Sequence, residues 1–213
     1  MVMFAVMMSM IIPTPVKAIE PDSVNASVQV LERITSYESG GVSSGLLGHS
    51  FITVHNYSSN SVTIGHMSVP QNSYITIGTF DNRSAHNGIW YNIEGYNIYA
   101  INQVTYSTTA YMLTSSSEIS TLNVAINTHD YWMTSFNCSH FAAYRWNQIT
   151  PSGLHVLPSY PGYLKSSIDS IGGTSSGLPT SGKALSSIAY QTSSGIVYDA
   201  SGATASDLGD DTY

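Results

Sequence analysis

Cys138 is the only cysteine in the chain of 213 residues, and it lies in the run Asn137-Cys138-Ser139-His140-Phe141. A lone cysteine cannot close an intrachain disulfide. It pairs between chains, packs as a small hydrophobe, or reacts. Its surroundings favour reaction. Asn137 is a good helix N-cap, because its side-chain oxygen can accept from a backbone N–H one turn further on. Cys138 then takes the first helical position, where the positive end of the helix dipole favours thiolate over thiol. The first-turn N–H groups have no intrahelical partner and can receive a developing oxyanion. These features suit nucleophilic acyl transfer, a chemistry that needs no cofactor.

A thiol nucleophile needs a base. His140 is two residues from Cys138, about 200° around a helix, so it points away from the thiol. His49 is the better candidate. It opens an expected strand straight after Gly48 and a flexible loop, at a rim where a side chain can reach a helix end. A third group should hold the imidazole in one tautomer. His66 takes that role if a hairpin closes around residues 57 and 58, which sets it across from His49. Only a register with an odd sum of residue numbers keeps the two on one face. Glu94 is the alternative orienting group. His55 shares parity with His49 but lies about 20 Å along an extended strand. His86, His129 and His155 fall in polar loops and read as solvated. No close ligand pair with a typical spacing points to a metal.

The elements that must position these groups follow from periodicity. Strands are expected over 48–55, 62–69, 73–80, 89–93 and 98–106, with 28–37 as a strand or short helix. Trp90, Tyr91, Tyr96 and Tyr99 form an aromatic-rich stretch best explained by sheet packing. The period then changes. Ser115 and Glu118 fit a capping box, and Ile119, Leu122 and Ile126 follow at helical spacing, predicting a helix over 116–128. A second helix starts near Asn137 and ends before Pro151, which pushes Thr150 out of the helical region. A shorter one is expected over 163–171. Strands first and helices afterwards indicate an α+β fold, a small antiparallel sheet packed on the Cys-bearing helix.

The motif Asn137-Cys138-Ser139-His140-Phe141 resembles the Asn-Cys-Glu-His-Phe motif of the lecithin:retinol acyltransferase-like proteins, with Ser139 in place of the Glu. Those proteins form a circularly permuted branch of the NlpC-type papain-like superfamily. The resemblance implies a catalytic His on an early strand, a second polar residue on the next strand, and the Cys last, at a helix start. Gly48-His49-Ser50-Phe51-Ile52 matches the early strand. His66 matches the second polar position, and Cys138 the nucleophile. On this resemblance residues 19–172 form a permuted papain-like domain.

Composition limits the partners. Charged residues are only 9 % and the net charge is −7, so nothing resembles a basic patch for nucleic acid or an anionic membrane surface. Hydroxyl and amide residues supply the polarity instead, a pattern typical of exported proteins. Residues 1–18 read as a signal peptide: an apolar run to Ile12, too short to span a bilayer comfortably, then Val16 and Ala18 at the −3 and −1 positions of a cleavage site. No later run is long enough for a membrane span. Residues 173–213 read as a Ser/Gly/Thr-rich tail, in which Ile188–Tyr190 and Ile196–Tyr198 could still dock as strands. Leu178-Pro179-Thr180-Ser181-Gly182 lacks the residue order of a sortase signal.

Export and the superfamily likeness together point to amide or peptide bonds, with peptidoglycan stem peptides as the natural substrate. Two rivals are a thiol acyltransferase or lipid hydrolase, and a non-catalytic secreted binding module on a degenerate enzyme fold.

Overall fold

The computed structural model describes residues 26–34, 49–81, 83–100, 106–151, 153–173 and 182–203. The signal-peptide reading of residues 1–18 lies outside these. The core element is a seven-stranded sheet. Its strands are β1 (Ala26–Ile34), β2 (His49–His55), β5 (Tyr74–Phe80), β6 (Gly88–Tyr91), β7 (Tyr106–Thr114), β8 (Ala189–Thr192) and β9 (Gly195–Tyr198). They run in the order β7-β1-β2-β5-β6-β8-β9, with every neighbouring pair antiparallel. A separate hairpin joins β3 (Val62–Ile64) to β4 (Met67–Val69). Among the described residues the α-helices are α1 (Ile93–Ala100), α2 (Ser116–Asn127), α3 (Cys138–Ile149) and α4 (Pro161–Ser170). The fold is thus α+β, as expected.

Two cores flank the sheet. On one face Ile52, Val54, Ile75 and Ile77 pack against Leu122 and Ile126 of α2, Phe141 and Trp146 of α3, and Ile168 of α4. On the other, Phe80 and Trp90 pack against Ile93 of α1, Ile188 and Ala203. A strand buried on both faces shows no polar alternation. That is why six of the seven residues of β2 are buried, His49 and Ser50 among them.

Local signals in the sequence explain the helices. Ser115 and Glu118 form the capping box at the start of α2. α3 begins at Cys138 behind Asn137 and stops where Thr150 turns extended (φ −137°) ahead of Pro151.

Two expectations are corrected, and one alternative is decided. Residues 62–69 are not one strand paired with 48–55. They fold back on themselves at Gly65 (φ +59°), which takes the left-handed conformation that a two-residue hairpin turn requires. The partner of β2 is instead β5, with Ile52 opposite Ile77. The strand expected over 98–106 gives way to α1 followed by β7. Asn92 adopts φ +64° and breaks the strand, and its carbonyl accepts from Tyr96 N at 2.9 Å to begin the helix. Finally, the segment read as a tail takes its docked alternative, with β8 and β9 at the two runs named for it, Ile188–Tyr190 and Ile196–Tyr198. It docks because Trp90 and Phe80 leave an apolar face that Ile188 and Ala203 cover. Trp90 and Tyr91 are both fully buried, which bears out the packing reading of the aromatic stretch.

Candidate active site

The side chain that meets His49 is Glu94. His49 Nε2 lies 2.9 Å from Glu94 Oε1, and both side chains are wholly buried. Each neighbour has an identifiable role. Asn92 ends β6 and launches α1, so Glu94 falls in the first turn of that helix. The dipole there favours a negative charge. Thr76, on β5, donates its hydroxyl to Glu94 Oε2 at 2.9 Å and accepts from Gly95 N at 3.1 Å. The carboxylate is therefore held through both oxygens. Gly78, two residues along the same strand, leaves the space the pair occupies. A Cβ there would lie 1.9 Å from Glu94 Oε1 and 2.8 Å from His49 Nε2. The imidazole stacks on Phe80, with ring centroids 4.5 Å apart, and more distantly on Phe51 at 6.0 Å.

This geometry orders the imidazole. A carboxylate can only accept, so Nε2 carries the proton and donates it to Glu94. Nδ1 is left as the basic nitrogen. That is the orienting arrangement a general base requires.

Cys138 occupies the first position of α3. The Asn137 carboxamide oxygen accepts from Ser139 N at 3.0 Å and His140 N at 3.2 Å. Its Nδ2 donates to Ser159 O, which ties the cap to the chain beyond α3. The cap is as expected, with one consequence for the oxyanion. The Ser139 and His140 amides are taken by Asn137, so neither is an open donor. Cys138 itself is fully buried.

One contact ties β2 to the start of α3, while His49 itself faces the other side of the sheet. Ser50 Oγ lies 3.1 Å from Ser139 Oγ. Each serine directly follows a candidate residue, His49 in one case and Cys138 in the other. Side chains alternate along a strand, so Ser50 faces α3 with Ile52, while His49 faces α1 with Phe51. His49 is the first residue of β2, at the strand's end.

The remaining histidines lie elsewhere. His66 is in the β3–β4 turn, exposed, and does not meet His49. The expectation for it fails because the hairpin it required does not form. His140 points away from the thiol, as helix geometry demands, and packs among Phe136 (4.3 Å) and Tyr144 (5.7 Å). Burial, then Arg145 and His129, hold its pKa below the ordinary value. His55 ends β2 and stacks on Tyr57 at 4.3 Å. His86 is not simply solvated: its Nε2 lies 2.8 Å from Asp130 Oδ1, and its ring stacks on Tyr190 at 4.9 Å. Among the described residues no group of three or more His, Cys, Asp or Glu side chains is placed to hold a metal.

Thr76 and Gly78 went unread in the sequence. Gly78 had a usable signal, since a glycine inside a strand often marks a close approach. No family model, curated protein or solved structure matches this chain.

Proposed function

We propose that the chain is an exported cysteine hydrolase of permuted papain-like type that cleaves amide bonds, with peptidoglycan stem peptides as the substrate class. Cys138 is the nucleophile, His49 the base, and Glu94 takes the orienting role first considered for His66. The observation that carries this reading is the buried His49–Glu94 pair, on the strand whose Ser50 meets Ser139. Buried ionisable pairs are costly, and one kept in the interior, on the strand that also contacts the start of the Cys-bearing helix, supports a functional reading.

In this reading thiol and imidazole, which face opposite sides of β2, must come together around that strand's N-terminal end. His49 Nδ1 takes the Cys138 proton, and the thiolate attacks the amide carbonyl. The Cys138 amide, at the helix start, is the donor nearest the oxyanion. The imidazolium, stabilised by Glu94, returns its proton to the leaving amine as the C–N bond breaks. Water then adds to the thioester under the same base, releasing the acid and the free thiol.

The test is the thiol. The rate of iodoacetamide alkylation against pH should give Cys138 a pKa well under the ordinary 8.5 or so of a free cysteine. His49→Gln should remove that depression. An ordinary or inert thiol in the intact protein overturns the assignment. Mass spectrometry of muropeptides and of phospholipids, incubated with the protein and with Cys138→Ala, then separates hydrolysis of stem peptides from lipid chemistry.

One observation favours the binding-module reading. Cys138 and His49 are both wholly buried, whereas a working nucleophile must admit substrate. Cleavage of neither substrate class would select that reading.

A further inference from the structure

Arg145, two turns into α3, is only 3 % exposed. Its guanidinium lies over the rings of Phe141 (5.2 Å) and Tyr144 (5.1 Å). None of the ion pairs between described residues involves it. Its Nε is buried with no hydrogen-bond partner. Burial lowers its pKa to about 10, which leaves it charged at neutral pH. A full positive charge thus sits among aromatic rings with no counter-ion among the described residues. Desolvating such a charge is costly unless something pairs with it, and nothing in the described chain does.

The guanidinium lines a cavity of about 400 Å³. Tyr131, Phe136, His140 and Tyr144 form much of the remaining wall. His140 Nδ1 is likewise buried without a hydrogen-bond partner. A cavity of this size matches the small-molecule class, and its make-up is typical: an apolar lining with few, well-placed polar groups.

We propose that this cavity binds a small organic carboxylate with a ring or apolar body, its carboxylate at Arg145 and its body against Phe136, Tyr131 and Tyr144. The guanidinium fork matches a planar carboxylate. The rings supply stacking for the body. A bare inorganic anion would leave the apolar wall uncovered, and a neutral ligand would leave the charge unpaired. The site stands whether or not Cys138 is a nucleophile.

The test uses the whole chain and three probes: phenylacetate, N-acetylphenylalanine and octanoate. Each is paired with its amide, and acetate serves as the bodiless control. Titration calorimetry and saturation-transfer NMR should show saturable binding of at least one acid. Its amide should bind about ten- to a hundredfold more weakly, as expected for the loss of a charge-assisted contact. Acetate should also bind at least about tenfold more weakly, since it lacks the stacking body. Arg145→Met should lose binding by a similar factor while its melting temperature holds or rises, because an uncompensated charge has been removed. Lys165→Met, on α4 and outside the cavity lining, should bind like the parent. Several results overturn the proposal: no saturable binding of any acid, equal binding of acid and amide, or retained binding in Arg145→Met. A collapsed fold in Arg145→Met does so too, since it would give Arg145 a structural role. The acid-to-amide ratio on the unaltered protein is decisive without any variant.

Discussion

Adding one methyl group at Gly78 should disable the site. The Cβ of Gly78→Ala would stand 1.9 Å from Glu94 Oε1, where ordinary contact begins at 3.4 Å, so the carboxylate must withdraw by about 1.5 Å. That breaks the 2.9 Å contact to His49 Nε2. Overpacking a well-filled core costs about 1–3 kcal/mol. Taking the imidazole donor away from the buried Glu94 carboxylate leaves an uncompensated charge, which costs about 3–5 kcal/mol. The two overlap, because the retreat that relieves the first causes the second, so the expected loss is about 3–5 kcal/mol. For a domain of this size that is a fall in melting temperature of roughly 6–20 °C. Thermal melts followed by circular dichroism measure it, with iodoacetamide rates on Cys138 alongside. Removing the obstacle should restore stability. Gly78→Ala combined with Glu94→Ala should melt higher than Gly78→Ala alone, a coupling that a double-mutant cycle isolates. The reasoning fails if Gly78→Ala melts within about 2 °C of the parent, or if the second substitution gives no rescue.

Two further outcomes are expected. Asn137→Ala removes the cap bonds to Ser139 N and His140 N and the bond to Ser159 O, so it should cost about 2 kcal/mol in urea unfolding. The pH dependence follows from His55, His129 and His140, whose pKa values are all lowered, in each case chiefly by burial. A depressed folded pKa means that the unfolded chain takes up protons first. The stability from these residues is therefore complete above about pH 6.5, the ordinary histidine value, and drains as pH falls through their lowered folded pKa values. Urea midpoints at pH 7.5, 6.5 and 5.5 should decline in that order, and a midpoint rising toward pH 5.5 would contradict the assignment.

Much of the site's frame was legible because it is written locally. The capping box at Ser115, the Asn137 cap and the stop before Pro151 are short-range signals, and each stands where the sequence placed it. The strands carrying His49 and Thr76 were also readable from composition. The partner of His49 was not. It depends on which strands pair, and pairing is decided by a chain reversal at Gly65 that a run of β-formers disguises. A one-residue change of register moves a side chain to the opposite face, so the choice between His66 and Glu94 could not be made from parity alone. α1 was hidden for a related reason. Its sequence favours strand, and the helix is set by Asn92 and by packing of Ile93 against Phe80 and Trp90. The runs that become β8 and β9 were readable as strands, but where they dock was not, because that answers an apolar face built a hundred residues earlier.

The buried pair itself separates a functional origin from a structural one. A fold that needed only to fill this corner would do so with apolar side chains. Replacing a buried ion pair by hydrophobic residues of similar size is often neutral or stabilising by about 1–4 kcal/mol. Here the fold keeps the pair and arranges three further features around it: an empty Gly78, a Thr76 hydroxyl on the second carboxylate oxygen, and a left-handed Asn92 that aims the first turn of α1. These have a common purpose if the imidazole must stay oriented and basic, and none if the corner is inert. The double replacement His49→Leu with Glu94→Met should therefore fold, melt at or above the parent temperature, and lose the proposed reactivity of Cys138. A strongly destabilised double variant would make the pair a structural element. A stable one that keeps its thiol reactivity would detach His49 from Cys138 altogether.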